Sequence, residues 1–286
     1  MDLHKAQRRA AKIKLAIQGP SGSGKTMSAL LLASGMTDWS KIAVIDTENH
    51  SADLYSHLGE YNVLQLEKPF MPERYIKAIE VCEKAGMEVI IIDSVSHEWE
   101  GSGGILDLHG NMLGNSFTNW SKMTPRHNAF VQKILESPAH VVATIRTKTD
   151  YAMVEKNGKF AVEKLGLKGI TRDGLDYEFT IVFDLDIKHL AKASKDRTGM
   201  FMDKPEDVIS KEFGKRILEW CNSGVSLDMI KSDISSSQTV EELRTILRTY
   251  PEHKAVLEPL AIARKEELSL KIINTNKIGG NGLSKS

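Results

Sequence analysis

The stretch Gly19–Thr26 reads GPSGSGKT and decides the fold. It satisfies the phosphate-binding pattern G-x-x-x-x-G-K-[ST], which requires a strand before it and a helix after it. Apolar residues at alternate positions 13, 15 and 17 predict a short strand, and residues 26–36, TMSALLLASGM, predict a helix. We therefore expect a strand–loop–helix unit that encloses phosphate groups.

Each part of this motif has a chemical task. The glycines let backbone N–H groups turn inward around phosphate oxygens, and the positive end of the following helix adds to the attraction. Lys25 is expected to reach the β- and γ-phosphates of ATP, and the Thr26 hydroxyl to hold Mg²⁺. The predicted nucleotide-binding residues are Gly19, Pro20, Ser21, Gly22, Ser23, Gly24, Lys25, Thr26 and Met27.

Composition narrows the class of protein. The 286 residues suit one large α/β domain with a small addition, and the net charge is zero, so any nucleic-acid site must be a local patch. Cys82 and Cys221 are the only cysteines and indicate neither a disulfide framework nor a cysteine zinc site. The N-terminus lacks the apolar core of a signal peptide, and no apolar run reaches transmembrane length. We expect a cytoplasmic protein with no membrane partner.

The following segments alternate between short apolar strands and helices. A helix is predicted from Pro72 to Gly86, and a long loop over residues 94–123, after which Thr124 caps a helix with Pro125 at its first position. This alternation predicts a parallel sheet covered on both faces. The strands expected after the first are residues 41–46, 62–66, 88–93 and 140–145.

The pattern changes in the second half of the chain. Asn157-Gly158 predicts a hairpin turn, and residues 179–187 and 188–194 predict two antiparallel strands. Pro205 introduces a helix that ends near Trp220. The expected layout is a basic lead-in at 1–11, an ATPase domain at 12–223, a helical C-terminal region at 224–272 and a disordered tail at 273–286.

A phosphate-binding loop needs an acid for the magnesium shell and a group that orients water. Asp46 and Asp93 both end apolar strands, and we assign the magnesium role to Asp93 because its strand is the more apolar. Glu48, Glu98 and Glu100 are the candidates for orienting water.

Two of these acids lie in stretches that resemble RecA-type recombinases. Residues 45–59, IDTENHSADLYSHLG, are similar to the stretch in which that family places a water-orienting glutamate, and the match falls on Glu48. Residues 88–94, EVIIIDS, are similar to the Walker B strand and match Asp93. The resemblance implies that Lys25, Glu48 and Asp93 are catalytic and that Thr26 and Asp93 hold the metal.

A longer set of motifs resembles the phage AAA-type nucleotide-binding proteins, RecA-core ATPases associated with phage recombination and single-strand annealing. The matching stretches are IDSVSHEWEGSGGILDL at 92–108, LKGITRDGLDYEF at 167–179 and SKDRT at 194–198, and the resemblance covers residues 12–222. It implies a RecA-like α/β P-loop NTPase with a mainly parallel sheet flanked by helices, antiparallel edge strands and a small helical C-terminal region. The reaction implied is hydrolysis of ATP to ADP and phosphate.

The resemblance also implies partners. In similar RecA-core proteins, basic residues placed like Lys195 and Arg197 cross a subunit interface to the neighbour's γ-phosphate, which implies a homo-oligomeric ring or filament. A solvated basic turn is the equally weighted alternative. Single-stranded DNA and a phage single-strand-binding or replication protein are the other expected partners.

Several alternatives stay open from the sequence. Residues 101–115 and the 151–162 hairpin are the candidates for DNA contact, and Arg146 or Lys148 for sensing the γ-phosphate. The chain is also compatible with a nucleotide-dependent loader of phage replication. A P-loop kinase is the less favoured alternative, because no arginine-rich lid is recognisable in the sequence.

Overall fold

The computed structural model describes residue 8 and residues 10–156, 159–225 and 227–279. The chain forms two compact units. One is Lys12–Cys221, and the other combines Met1–Ala11 with Asn222–Ser286. The sequence placed the second boundary at residue 223.

The larger unit contains a mixed sheet and its flanking helices. Its strands are β1 Lys14–Gly19, β2 Ile42–Asp46, β3 Asn62–Gln65, β4 Val89–Asp93, β5 His140–Lys156, β6 Lys159–Gly169, β7 Ile181–Leu185, β8 Leu190–Asp196 and β9 Asp207–Val208. Its helices are α1 Lys25–Met36, α2 Pro72–Lys84, α3 Ser96–Glu100, α4 Ile105–Gly110, α5 Ser116–Glu136, α6 Leu175–Glu178 and α7 Lys211–Asn222, with 3₁₀ turns at Trp39–Lys41 and Ala52–Leu58.

The sheet is mainly parallel. Its strand order is β3-β2-β4-β5-β1-β7-β8-β9, with β6 paired to the long β5. The first six strands of that order pair in parallel, whereas β8, β9 and β6 pair antiparallel to their neighbours. The predicted α/β class, a mainly parallel sheet with antiparallel strands toward one edge, is confirmed.

Helices cover both faces of the sheet, as buried apolar strands require. Helices α1 and α7 pack on one face through residues such as Leu30 and Ile217. Helices α2 and α5 pack on the other through Tyr75 and Phe130. Gly214 lets α7 approach α1 closely, since an added Cβ there would lie 1.9 Å from a carbonyl oxygen of α1.

Residues 94–123 differ from the predicted loop, because they form α3, α4 and the first part of α5. Helix α5 begins at Ser116, and its cap is Asn115, whose side chain accepts hydrogen bonds from the N–H groups of Phe117 and Thr118. Pro125 therefore lies inside this helix, and the prediction of Thr124 as its cap is wrong. The helix expected after Pro205 begins only at Lys211, since β9 comes first.

Strand β5 continues from the core into a long antiparallel pair with β6. The register runs from Thr147 opposite Gly169 to Lys156 opposite Lys159, which agrees with the predicted hairpin. Its turn residues, Asn157-Gly158, lie outside the described part of the chain.

The smaller unit is helical, with α8 Leu227–Ser236, α9 Val240–Thr249, a 3₁₀ turn Pro251–His253 and α10 Lys254–Gly279. Thr239 caps α9 by accepting a hydrogen bond from the Glu242 N–H, as its spacing predicts. Helix α10 runs to Gly279, whereas a disordered tail was expected from residue 273, and residues 280–286 lie outside the described chain. Ala10 and Val225 share a backbone hydrogen bond of 3.0 Å, which joins the lead-in to this unit.

Candidate active site

The functional side chains lie at the carboxyl ends of parallel strands. A cavity of about 870 Å³ opens there, above β1, β2, β4 and β5. Its lining includes Lys25, Thr26, Glu48, Asp93 and Arg146. Four strands that are distant in sequence thus bring the glycine-rich loop with Lys25, the acids Glu48 and Asp93, and Arg146 to a single cavity.

The loop after β1 has the conformation that its glycines permit. Gly22 and Gly24 have φ values of 81° and 84°, a region that side chains with a Cβ rarely adopt. Gly24 is the N-cap of α1, so the first amides of this helix point toward the cavity. Of the predicted nucleotide-binding residues, six line the cavity: Ser21, Gly22, Gly24, Lys25, Thr26 and Met27.

The remaining three residues of the predicted set support the loop from behind. Lys25 Nζ donates to the carbonyl oxygens of Gly19 and Pro20 at 3.0 and 2.9 Å. Ser23 is fully buried, and its carbonyl oxygen accepts a hydrogen bond from His189 Nδ1 at 3.0 Å. Burial lowers the pKa of Lys25, while the charges of Asp93 and Glu48 oppose that shift.

Asp93 lies at the base of the cavity and is almost fully buried. Its two oxygens accept hydrogen bonds from the Thr26 and Thr144 hydroxyls, each at 2.5 Å. Burial raises the pKa of Asp93, and the two hydroxyl groups lower it. Thr26 and Asp93 together offer the hard oxygen donors that suit Mg²⁺, which in nucleotide sites takes few protein ligands and fills its shell with phosphate oxygens and water.

Asp46, the other acid at a strand end, has a different role. Its carboxylate accepts hydrogen bonds from the N–H groups of Glu48 and Ala52 at 2.6 and 3.0 Å. It therefore anchors the loop that follows β2 and fixes the backbone of Glu48. The two strand-end acids have similar local sequences, and only their hydrogen-bond partners distinguish their roles.

Glu48 projects into the same cavity and is held by three donors. Arg146 donates through Nε to Oε1 at 2.7 Å and through Nη2 to Oε2, and the Ser94 hydroxyl donates to Oε1 at 3.0 Å. Burial raises the pKa of Glu48, but the hydrogen bonds and charge of Arg146 outweigh burial, so the pKa lies below its usual value.

The alternative glutamates differ in position. Glu98 is buried and pairs with His127 Nδ1 at 3.0 Å, outside the cavity lining. Burial raises the pKa of Glu98. Glu100 lines the cavity together with Glu48. Geometry therefore separates Glu98 from the reaction space, and of the three candidates only Glu48 and Glu100 line the cavity.

Lys195 and Arg197 lie away from the cavity lining of their own subunit. Lys195 pairs in register with Val182, which pairs with Ala16, three residues before the phosphate-binding loop begins. Lys195 Nζ contacts the carbonyl oxygen of Tyr177, and Arg197 Nη2 donates to the same oxygen at 3.0 Å. Both side chains thus contact the backbone of α6 outside the lining of the cavity.

Two residues of the site, Thr144 and His189, were not predicted from the sequence. Thr144 is buried in the first part of β5, where residues 141–145 are otherwise apolar, and its hydroxyl group in that run was the available signal. His189, in the turn between β7 and β8, has a positive φ of 68° and lines the cavity next to Gly24. Nothing in its local sequence indicates a role, because it reaches the loop only through strand pairing.

Comparison with known proteins is consistent with this geometry. Residues 11–239 match the AAA domain, which is more than half of the chain. The chain belongs to the AAA domain family. This membership indicates a P-loop ATPase domain, in agreement with the loop at Gly19–Thr26.

One solved structure to which the chain is similar is the KaiC-like protein PH0186 from the hyperthermophilic archaeon Pyrococcus horikoshii OT3. It is 17% identical, has a TM-score of 0.41, and the match covers 70% of this AAA domain chain and 87% of that protein. This similarity is too low to assign an activity. No curated protein matches the chain.

In the described part of the chain, no group of three or more His, Cys, Asp or Glu side chains is arranged to hold a metal ion. Among the same residues, no helix has both the length and the apolar character needed to cross a bilayer. Cys82 and Cys221 are both buried, and no disulfide bond joins them.

Proposed function

We propose that the protein binds ATP at Gly19–Met27 and hydrolyses it to ADP and phosphate. The observation that carries this proposal is the Thr26–Asp93 hydrogen bond of 2.5 Å, which joins a complete phosphate-binding loop to a buried acid beside Glu48. Lys25 and the loop amides bind the phosphates, and Thr26 and Asp93 hold Mg²⁺. When bound, the ion neutralises charge on the phosphate oxygens.

Glu48 is proposed to orient the water molecule that attacks the γ-phosphate. The water oxygen forms a bond to the γ-phosphorus as the bond from phosphorus to the β–γ bridging oxygen breaks, and the electron pair leaves with ADP. Glu48 accepts a hydrogen bond from the water and aligns it for this attack. Its position in the cavity with Lys25 and Asp93 supports the assignment.

Four variants test the assignment of roles. Glu48→Gln keeps the shape but removes the charge, so it is expected to bind Mg²⁺-ATP while phosphate release falls by about 10²-fold or more. Asp93→Asn is expected to weaken the Mg²⁺-dependent part of binding, and Lys25→Ala to weaken binding and abolish turnover. Unchanged turnover in Lys25→Ala would rule out the site. If Glu100→Gln loses turnover and Glu48→Gln does not, the water-orienting role moves to Glu100.

We propose further that hydrolysis serves phage DNA recombination or single-strand annealing. The motif resemblance at 92–108, 167–179 and 194–198 supports this use. Phosphate release with and without single-stranded DNA is the decisive measurement. Stimulation by DNA supports recombination, whereas stimulation by a replication protein without DNA binding favours the loader alternative. Transfer of phosphate to an added small-molecule acceptor instead of water would indicate a kinase.

The proposed active form is a homo-oligomer in which Lys195 and Arg197 act on the neighbouring subunit's nucleotide. Neither residue lines the cavity beside its own phosphate-binding loop, which supports action in trans. Mixing Lys25→Ala subunits with Lys195→Ala/Arg197→Ala subunits tests it, because some interfaces in a mixed assembly combine an intact loop with an intact finger. Partial recovery of activity is expected. Full activity from a proven monomer would contradict the idea.

A further inference from the structure

A second cavity, of about 460 Å³, adjoins the nucleotide cavity near the carboxyl ends of β2 and β3. Glu48 and Arg146 line both cavities, so this hydrogen-bonded pair lies between them. On the far side of the pair, the lining of the second cavity includes Gln65, Lys68 and His97. None of these three side chains lines the nucleotide cavity.

The proposed reaction forms phosphate next to this pair. In an in-line attack, the water and the leaving group lie on opposite sides of the γ-phosphorus. Glu48 orients the water in the proposed reaction, so it lies beyond the γ-phosphate on the side away from ADP. The phosphate that forms is therefore enclosed between ADP and the Glu48–Arg146 pair, and the second cavity is the space on the other side of that pair.

Gln65 supplies the second cavity with an acceptor that lacks a donor. Its Oε1 atom is buried, and none of the described residues donates a hydrogen bond to it. Gln65 is the last residue of β3, and it lines the cavity. A buried acceptor left unpaired is unfavourable, so a bound group that carries a hydrogen would stabilise this site.

His97 supplies a donor. Its Nδ1 lies 2.8 Å from Thr47 Oγ1, which is 3.1 and 3.3 Å from the carbonyl oxygens of Asp93 and Ser94. These carbonyl oxygens already accept hydrogen bonds from the Thr47 N–H and from the Tyr75 hydroxyl. The Thr47 hydroxyl is therefore free to donate to Nδ1, and the neutral imidazole then carries its hydrogen on Nε2.

Phe70 and Lys68 complete the donor side of the cavity. The Phe70 ring stacks on His97 with 4.8 Å between the ring centroids, which holds the imidazole in place. Burial lowers the pKa of His97, so the ring is neutral at neutral pH. Lys68 is exposed and adds an ammonium group to the lining. The cavity thus combines two donors with one unpaired acceptor.

We propose that the second cavity binds hydrogen phosphate, the product of the proposed hydrolysis, after it leaves the nucleotide cavity. The proposal rests on the proposed function. At neutral pH, inorganic phosphate keeps a hydrogen that can be donated to Gln65, and its other oxygens accept from His97 and Lys68. Sulfate has nearly the same shape but no hydrogen, so the site is expected to distinguish the two anions. Glu67 also lines the cavity and offsets the charge of Lys68, so we expect weak binding, which suits release of a product.

Calorimetry with inorganic phosphate and with sulfate, on the full chain saturated with Mg²⁺-AMP-PNP, tests the site. AMP-PNP fills the γ-phosphate position, so an added anion must bind elsewhere. The wild type is expected to bind phosphate about tenfold more tightly than sulfate, the scale of a hydrogen bond to an otherwise unpaired acceptor. Gln65→Leu is expected to lower phosphate affinity by the same factor and to leave sulfate affinity unchanged.

The donor side has its own variants. His97→Phe keeps an aromatic ring against Phe70 but lacks the donor, and Lys68→Ala removes the ammonium group. Both are expected to weaken phosphate and sulfate alike. Lys84→Ala, which removes an exposed lysine of α2 outside the cavity lining, is the matched control and is expected to change neither affinity. In steady-state turnover, added phosphate is expected to inhibit the wild type more than Gln65→Leu.

Each outcome decides the proposal. Equal affinities for phosphate and sulfate in the wild type overturn it, as does a preference for phosphate that persists in folded Gln65→Leu. If Gln65→Leu does not fold, unchanged phosphate affinity in both His97→Phe and Lys68→Ala overturns it. If AMP-PNP does not bind the wild type, the proposed function fails, and the same anion titrations on the nucleotide-free protein still decide the site. If phosphate binds as expected but does not inhibit turnover, its place on the release route is wrong.

Discussion

Replacing Thr144 by valine removes one hydrogen-bond donor to Asp93, the proposed magnesium ligand. The two side chains have nearly the same shape, but valine lacks the hydroxyl that donates to Asp93 Oδ1 at 2.5 Å. Both residues are buried, so water does not readily replace the lost donor. A hydrogen bond to a charged group contributes about 1.5–3 kcal/mol, so the ionised form of Asp93 becomes less favourable by that amount.

The sign of the effect follows from burial. Burial already raises the pKa of Asp93, and the two hydroxyls oppose that shift. Without Thr144 the carboxyl group holds its proton to higher pH. Mg²⁺-dependent nucleotide affinity is expected to fall by up to about 10- to 150-fold at pH values where the carboxyl group of the variant is protonated and that of the wild type is not, since each 1.4 kcal/mol is tenfold. The pH at which this affinity develops is expected to rise by about one to two pH units.

The assay is titration of a fluorescent ATP analogue with and without Mg²⁺ from about pH 6 to about pH 9, a range wide enough to contain a shift of about one to two pH units. Thr144→Ser retains a hydroxyl and is expected to behave like the wild type. Equal losses of nucleotide affinity with and without Mg²⁺ would show that Thr144 supports the fold of the cavity rather than the ionised form of Asp93. An unchanged Mg²⁺ dependence in Thr144→Val would refute the reasoning.

Two predictions concern stability. His140 is buried and accepts a hydrogen bond from the Ile13 N–H, and burial with two nearby lysines lowers its pKa to about 3. In the unfolded chain the pKa of histidine is about 6.5. His140 therefore stabilises the fold fully above that pH, and the free energy of unfolding falls by about 2 kcal/mol as the pH is lowered to 5. His140→Asn keeps an acceptor without titrating in this range, and urea unfolding is expected to show a flatter pH profile. Gly214→Ala places a Cβ 1.9 Å from the Leu32 carbonyl oxygen and is expected to cost about 1–3 kcal/mol or more, whereas Gly110→Ala, with open space around it, has little effect on the urea midpoint.

Local sequence was sufficient for the elements with strong periodicity. The apolar strands and the glycine loop were predictable because their signals lie within a few residues: alternation, strand-end acids and the G-x-x-x-x-G-K-[ST] spacing. The start of α5 was not, because its cap, Asn115, lies in a polar stretch that also reads as a loop. Capping depends on contact between one side chain and two backbone N–H groups. Many asparagines that cap no helix lie in loop stretches of the same composition.

The nucleotide site divides in the same way. The sequence by itself determined the phosphate-binding residues, since Lys25 and Thr26 are adjacent to the loop that positions them. Only the tertiary structure decided which strand-end acid meets Thr26, because β4 and β1 are separated in the sheet by β5. The pairing of Glu48 with Arg146, 98 residues apart, follows from the same strand order. Parallel strands bring their carboxyl ends to one edge, but their order in the sheet depends on packing across the whole core, which no local pattern encodes.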